Sequence, residues 1–507
     1  MFPLDFKALV DQTGTRFWLP DCFDSSLTYQ VTDPILASLL RTMKSAIAML
    51  RGCMDSHRTN AAPAATCDEI SAFRLLTPGL TTALRGALLF ALLSGFLVIS
   101  PERSQAQTES VLHSFCSMSN CADGSDPISN LIPDANGNLY GTTVAGGNVG
   151  GACPSFGCGT VFEISKLGVA TILYKFSGSP GGEAPSGTLI RDSNGNFYGT
   201  TQVGGNSGGA CPSDGCGTVF ELVKNGQTYT EEVLYAFPGG TSGAFPSFGV
   251  VRDTVGNLYF TAPGQSPPNC ASSAVGCGLV FKITPAGQEQ VLYQFKGHGD
   301  GANPSASVVV DARGNLYGTT AWGGRFGGVC VIYGCGTVFK VTPAGKEQVL
   351  YRFKGLADGL MPMGSMVLDA KGGLYGTTLM GGNTKNIDCD IQASGCGVVF
   401  GWTKSGGMAV LYTFSGYPVD GQNPRAELIF DKQGNLFGTT SGGGPSNDGT
   451  VFKLTPTGVE TVLHSFSGGA DGISPRASLL LDVHGNLYGT TLYGGAFGAG
   501  TLFKVVP

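Results

Sequence analysis

The sequence predicts an all-β protein: a seven-bladed β-propeller of four-stranded antiparallel blades over residues 107–507. Three observations predict it. Three short phrases each recur seven times in fixed order. The runs between turns alternate with a period of two, the signature of half-buried strands. The array also starts with the phrase that should end a blade, and it stops one phrase short.

VLYxF or a close variant begins at Val111, Ile172, Val233, Val291, Val349, Val410 and Val462. GNLYGTT or a close variant begins at Gly137, Gly195, Gly256, Gly314, Gly372, Gly434 and Gly485, at spacings of 58, 61, 58, 58, 62 and 51. GTVF or a close variant begins at Gly159, Gly217, Gly278, Gly336, Gly397, Gly449 and Gly500. Self-similarity at such a period marks a repeat architecture.

The fourth unit shows why each phrase is a strand. Residues Ser307 to Val310 are largely β-branched and apolar, and Pro304 opens that strand, where a missing N–H is tolerated. A tight turn follows at Asp311-Ala312-Arg313-Gly314-Asn315, where Asp accepts backbone N–H bonds and Gly takes positive φ. Leu316–Thr320 comes next. Thr337–Thr342 and Gln348–Phe353 then alternate apolar with polar, separated by the turn Thr342-Pro343-Ala344-Gly345. No window carries a useful amphipathic helical stripe. Labelled from the centre outward, the strand before D-x-x-G-N is a, LYGTT is b, GTVF is c and VLYxF is d. Four antiparallel strands repeated seven times make a propeller. A parallel β-helix has shorter coils, and an open solenoid needs capping repeats.

The phase of the array predicts closure. It begins with strand d at Val111–Phe115 and ends with strand c at Thr501–Val506. The N-terminal d strand is therefore expected beside the C-terminal c strand, which removes exposed sheet edges.

Composition excludes several classes. Gly makes up 80 of 507 residues, against a usual ~7%. With 42% hydrophobic and only 13% charged residues, the chain is too apolar for disorder. A net charge of −6 and a pI near 5.4 argue against nucleic-acid binding.

Residues 1–106 do not share the repeat and read as a leader. Its segment 86–100, GALLFALLSGFLVIS, is uncharged and follows Arg74 and Arg85. It is short for a bilayer span and fits the apolar region of a secretory signal. Ser104 and Ala106 supply small residues at −3 and −1, so cleavage is expected after Ala106. Met43, Met49 or Met54 would then serve as the start; the alternative is an uncleaved membrane anchor. The 15 cysteines divide at the same place: Cys22, Cys53 and Cys67 precede the cut, leaving 12.

Those 12 form local pairs: Cys116 with Cys121, Cys153 with Cys158, Cys211 with Cys216, Cys270 with Cys277, Cys330 with Cys335, and Cys389 with Cys396. In an exported protein they read as disulfides stapling loops. A thiolate metal site would need two pairs to meet, and pairs on separate blades have no reason to do so; no metal site is expected from them.

Seven aspartates, from Asp134 to Asp482, precede the a–b turn and read as turn caps. A second set, Asp123, Asp300, Asp358, Asp420 and Asp471, precedes Gly in the d–a loop; units two and three have Gly181 and Ser242 there. Asx turns account for these. They are also the weak calcium candidates, since loop carboxylates and carbonyls hold calcium, but no dense D-x-D-x-D loop is present. No other cofactor is expected.

Histidine is scarce. His113 and His464 replace Tyr on outer strands, His484 lies in a turn, and only His298 is in a d–a loop. That marks no catalytic triad. The glycine pairs open no helix and carry no Lys-Ser/Thr, so they are not phosphate loops.

The array over residues ~111–507, through its seven GNLYGTT-like phrases with their GTVF and VLYxF partners, resembles the GloVer tandem-repeat family, the choice-of-anchor proteins of bacterial surfaces. The resemblance implies an exported, surface-associated protein of unassigned biochemical function with varied C-terminal anchors. This chain stops at Val506-Pro507 directly after a strand, so free secretion, or retention through an uncleaved N-terminal segment, is expected.

Topology puts the long d–a and b–c loops on one face of the disc, where variable loops on a rigid scaffold carry function. Candidate contacts there are Trp322 and Phe326 with Arg325, Tyr493 with Phe497, and His298. These aromatics suit sugars or apolar ligands; the alternative is packing beneath their own loops. The leading function is a secreted or cell-surface, monomeric, non-catalytic binding or scaffold module. Its partner would be a polysaccharide, a peptide or another surface protein. A glycan-active hydrolase or lyase would instead need His298, or unmatched loop acids such as Glu183, Asp388 and Asp390, to converge at the channel. A purely structural envelope component is the third reading.

Overall fold

The structure, a computed structural model, describes residues 6–10, 16–20 and 108–507, apart from 154–155, 209–210, 241–242, 264–269, 271–276, 383–388 and 390–394. Two compact units divide the chain, Met1–Ser104 and Gln105–Pro507. In the first, Phe6–Val10 and Arg16–Pro20 pair as an antiparallel hairpin, which the sequence reading did not anticipate. The signal-like segment 86–100 and the cleavage site after Ala106 lie outside the described residues.

The second unit is a seven-bladed β-propeller of antiparallel sheets. Blade 4 is typical. Leu316–Trp322 (b) pairs with Thr337–Val341 (c), which pairs with Glu347–Arg352 (d). Its innermost strand differs from the expectation in being two pieces: Ala302–Pro304 pairs with the upper part of b and Val309–Val310 with the lower part. A bend lies between them, because Pro304 has no N–H for the ladder and Asn303 before it adopts φ +55°.

The ring closes as the phase of the array requires. Thr108–Ser114 lies antiparallel to Thr501–Val506, with Thr108 opposite Val506 and Ser114 opposite Thr501. The outer strand of blade 7 thus comes from the start of the repeat array.

Within a blade, the glycine of YGTT makes room for the phenylalanine of GTVF. A Cβ on Gly318 would lie 2.5 Å from Phe339 Cζ, and one on Gly489 2.6 Å from Phe503 Cζ. Blade 3 has Phe260 in place of that glycine, and its ring stacks on Phe281 at 5.2 Å.

Between blades, three contacts repeat around the ring. Each strand c phenylalanine meets the phenylalanine that ends strand d of the preceding blade. The seven pairs, from Phe115–Phe162 to Phe466–Phe503, have centroids 5.0–5.6 Å apart. These rings are nearly all fully buried and form much of the core.

The second contact lies at seven prolines. The residues before them (Asp126, Ala184, Phe245, Asn303, Met361, Asn423, Ser474) all have φ of +55° to +57°. This is an uncommon conformation for non-glycine residues and is held only where the surroundings demand it. Here the demand is a hydrogen bond. Each N–H donates, at 2.7–3.2 Å, to the carbonyl just before the GTVF glycine of the previous blade, as in Asn303 N–H to Cys277 O.

The third contact is deeper. In five blades the first Thr of YGTT donates to a carbonyl of the next blade's innermost segment, as in Thr261 to Ala306 and Thr439 to Ala477, whereas the equivalent Thr319 and Thr490 hydroxyls are buried without a partner among the described residues. The axis itself is marked by Asn130 of blade 1. It accepts from the Ser478 N–H of blade 7 at 2.7 Å and donates to Glu427 of blade 6 at 3.4 Å. Non-adjacent blades can touch only near the centre.

Candidate binding surface

Both aspartate sets are structural hubs. Asp311 accepts from the N–H groups of Arg313 and Asn315, the Asn315 side chain and the Tyr317 hydroxyl. Burial pulls its carboxyl upward, but those hydrogen bonds together outweigh it and hold its pKa below the ordinary 3.8.

The d–a loop set ties strand d to its own loop. Tyr351 donates to Asp358 at 2.6 Å and the Lys354 N–H to the same carboxylate at 3.0 Å. Tyr293 and Tyr412 treat Asp300 and Asp420 the same way. Where His replaces Tyr, His113 faces Asp123 at 3.4 Å and His464 faces Asp471 at 3.7 Å. Burial lowers both histidine pKa values and the facing carboxylates offset part of it. Gly181 lacks the carboxylate, and Glu231 of the next outer strand supplies it, accepting from Tyr174 and from the Gly182 N–H. Ser242 lies outside the described residues. Among the described residues no group of three or more His, Cys, Asp or Glu side chains gathers as a metal site.

A second carboxyl faces three of these aspartates from the neighbouring blade's strand d. Glu347, Glu460 and Glu109 are each raised to about 7, first by burial and then by Asp300, Asp420 and Asp471 respectively.

All six cysteine pairs are disulfides. Cys116 bonds to Cys121, Cys153 to Cys158, and Cys211 to Cys216. Cys270 bonds to Cys277, Cys330 to Cys335, and Cys389 to Cys396. None of them meets another pair to make a metal centre, and none joins two blades. The five bonds of the b–c loops are buried, so Cys158, Cys216 and Cys396 anchor their loops and are not exposed contact residues. Cys116 and Cys121, after strand d, are half-buried, and both take left-handed φ of +65° and +50°.

Cys330–Cys335 shapes the b–c loop of blade 4. Gly323 and Gly324, at φ +72° and +78°, turn the chain out of strand b. The Gly323 N–H then donates to Tyr333 O at 2.7 Å, and the Gly324 N–H to His298 O at 2.7 Å. The buried disulfide pins the loop from beneath, so its apolar side chains face solvent. Phe326 is 40% exposed, Val329 52%, Val331 66%, Ile332 59% and Tyr333 49%. Trp322 is half-buried, its ring 5.7 Å from that of Tyr333. Beside this patch Arg325, Lys354, Leu356 and Asp358 line an open depression of about 410 Å³.

The predicted contacts therefore separate into two groups. Trp322, Arg325 and Phe326 share the blade 4 loop, with exposed His298 joined to it through its carbonyl. Tyr493 and Phe497, 48% and 55% exposed, form a separate spot on blade 7. Glu183 is buried on an inner strand beside the long-loop rim, and Asp388 and Asp390 lie outside the described residues. The sequence reading missed Val331, Ile332, Tyr333 and Lys354. Its available signal was VCVIY, an apolar run inside a loop rather than a strand. A larger groove of about 590 Å³ lies on the opposite face, between Asp369, Tyr375 and Lys404.

No curated protein matches the sequence. Among solved structures, virginiamycin B lyase from Staphylococcus aureus is similar at 14% identity and TM-score 0.50, covering 79% of this chain and 99% of that one. Aldose sugar dehydrogenase from Streptomyces coelicolor matches at 12% identity and TM-score 0.39, over 68% and 97% of the two chains. A gluconolactonase from Xanthomonas campestris matches at 13% identity and TM-score 0.34, over 62% and 82%. At such identities the likeness speaks to fold alone. A family model matches residues 98–269, 213–389 and 388–507, which together hold the whole propeller. The chain belongs to the Gloeobacter/Verrucomicrobia repeat family.

Proposed function

We propose that this protein is an exported, non-catalytic binding module whose blade 4 rim docks a protein or peptide partner at the cell surface. One observation carries the reading: five large apolar side chains stand 40–66% exposed on a single disulfide-pinned loop. Contiguous exposed apolar side chains mark interaction surfaces, whereas scattered ones need no explanation. The loop is held in place before any partner arrives, which lowers the ordering cost of association. Arg325 and Lys354 at the edge add a cationic rim for orientation. Six disulfides support export, because such bonds persist in oxidising compartments.

A glycan ligand is the second reading, favoured by the Trp322–Tyr333 ring pair. The test is an array of peptides, surface proteins and polysaccharides probed with the full chain and with Val331→Ser/Ile332→Ser. Peptide or protein binding that the double variant loses supports the proposal. Binding the variant retains refutes it, and hydrolysis or elimination products from a glycan panel would make the protein an enzyme.

A further inference from the structure

We propose that the axial channel binds an oxyanion between Arg425 and Arg476. The site lies on the axis, apart from the blade 4 rim, and stands whether or not that rim docks a partner.

The two arginines hold the same position in neighbouring blades, directly after Pro424 and Pro475 on the innermost strands. In the other blades this position is Ile128, Ser186, Ser247, Ser305 or Met363, so the cationic pair is a local departure from the repeat. Pro424 pairs with Thr440 and Pro475 with Thr491, where strand b approaches the b–c loop. The arginines therefore sit in the half of the channel that opens toward the long-loop face.

Arg425 makes no hydrogen bond or ion pair among the described residues, and its Nε is sealed from solvent without a partner. Among the described residues Arg476 donates only to Ser474 Oγ, at 3.2 Å. Burial, and then the neighbouring Arg476 charge, both press Arg425 toward losing its proton. Two guanidinium groups gathered without a counter-charge are costly unless something neutralises them.

The one carboxyl on these inner bends does not serve. Glu427 is held by the Asn130 amide at 3.4 Å, and burial raises its pKa to about 7, so much of its charge is gone at neutral pH. Ser478 closes the same network, donating from its hydroxyl to Glu427 O at 2.9 Å and from its N–H to Asn130 at 2.7 Å. The result is a polar floor beneath a cationic pair.

Guanidinium forks match carboxylate, sulfate and phosphate oxygens in paired hydrogen bonds, which a point charge cannot do. The ligand is thus an oxyanion, either a free inorganic ion or the acidic group of a saccharide.

The test is calorimetric titration of the full chain with sodium sulfate, sodium glucuronate and glucose in a chloride background. Saturable binding of sulfate or glucuronate with none of glucose supports the site. Glucuronate binding tenfold tighter than sulfate assigns the ion to a sugar acid; equal or weaker binding assigns it to the free ion. Arg425→Gln and Arg476→Gln should each weaken binding about tenfold or more, the size of losing a charge-assisted hydrogen bond. Arg425→Lys keeps the charge, loses the fork and should also bind more weakly, which serves if a Gln variant does not fold. Arg313→Gln, in an exposed turn, should bind as the parent does. No saturable binding, or unchanged binding in the Arg425→Gln/Arg476→Gln variant, overturns the proposal.

Discussion

Phe115→Ala tests whether the two ends of the array hold the ring together. Phe115 is 1% exposed, and its ring lies 5.0 Å from Phe162 of blade 1. It ends the strand that completes blade 7, so it links the last blade to the first. Truncating a fully buried phenylalanine costs about 3–5 kcal/mol. At about 2.1 cal/mol/K per residue, a propeller of roughly 400 residues unfolds with an entropy of about 0.8 kcal/mol/K. The thermal midpoint should therefore fall by about 4–6 °C. Phe466→Ala is the matched control: it has the same position on strand d of blade 6, is 0% exposed and contacts Phe503 at 5.0 Å. Melting curves followed by far-UV circular dichroism, with size-exclusion chromatography for oligomers, provide the comparison. If the control falls by 4–6 °C while Phe115→Ala shifts by less than about 1 °C, on the same entropy scale, the closure is not a structural joint and the reasoning fails.

Gly500→Ala should destabilise by about 2–4 kcal/mol, combining the left-handed penalty with overpacking; its Cβ would stand 2.5 Å from both Thr491 O and Pro127 Cδ. Gly485→Ala, at φ +87° but facing open space, should cost only about 1–2 kcal/mol, so equal effects in chemical denaturation would refute the seam. Glu347→Gln should raise stability at pH 8, by about 1 kcal/mol after allowance for solvent screening, and change little near pH 4.5. The folded carboxyl holds its proton to about 7 against an ordinary 4.5, so the stability it contributes fades as pH rises between those values. A midpoint gain at pH 4.5 equal to that at pH 8 would count against this. Replacing Cys330 and Cys335 together by Ser should cost about 2 kcal/mol, the closure entropy of so short a loop, and should weaken any rim ligand more than the blade 7 spot. Non-reducing peptide maps should recover all six pairs.

Much of the architecture was legible because it is written seven times. Strand b, strand c and strand d each announce themselves by alternation, and the offset start at Val111 foretold the shared blade. Strand a was read less well. Ser307 to Val310 looked like one strand, but alternation fails where Pro304 interrupts the ladder and Asn303 turns left-handed. No local pattern reports that the N–H before each proline crosses to another blade, since the partner of Asn303 in blade 4 is Cys277 of blade 3, 26 residues back. The cysteine pairs were legible in full, because each partner lies within one loop. The rim was half legible. Trp322, Arg325 and Phe326 stood out as loop aromatics beside a cation. Val331 and Ile332 did not, because an apolar pair next to a cysteine ordinarily means core. Arg425 and Arg476 were invisible as a pair: only the ring places residues 51 positions apart on neighbouring inner strands.

The shared blade also sets a schedule for synthesis. Of the propeller's strands, Thr108–Ser114 is made first and its partner Thr501–Val506 last. At about 5–20 residues per second, close to 390 residues of elongation keep the first strand waiting roughly 20–80 s. Throughout that interval the first blade and the newest one each have a vacant neighbour and the disc stands open like a broken washer. A propeller with this layout cannot lock until its last-made strand, Thr501–Val506, meets its first, and that meeting commits the ring to its native state.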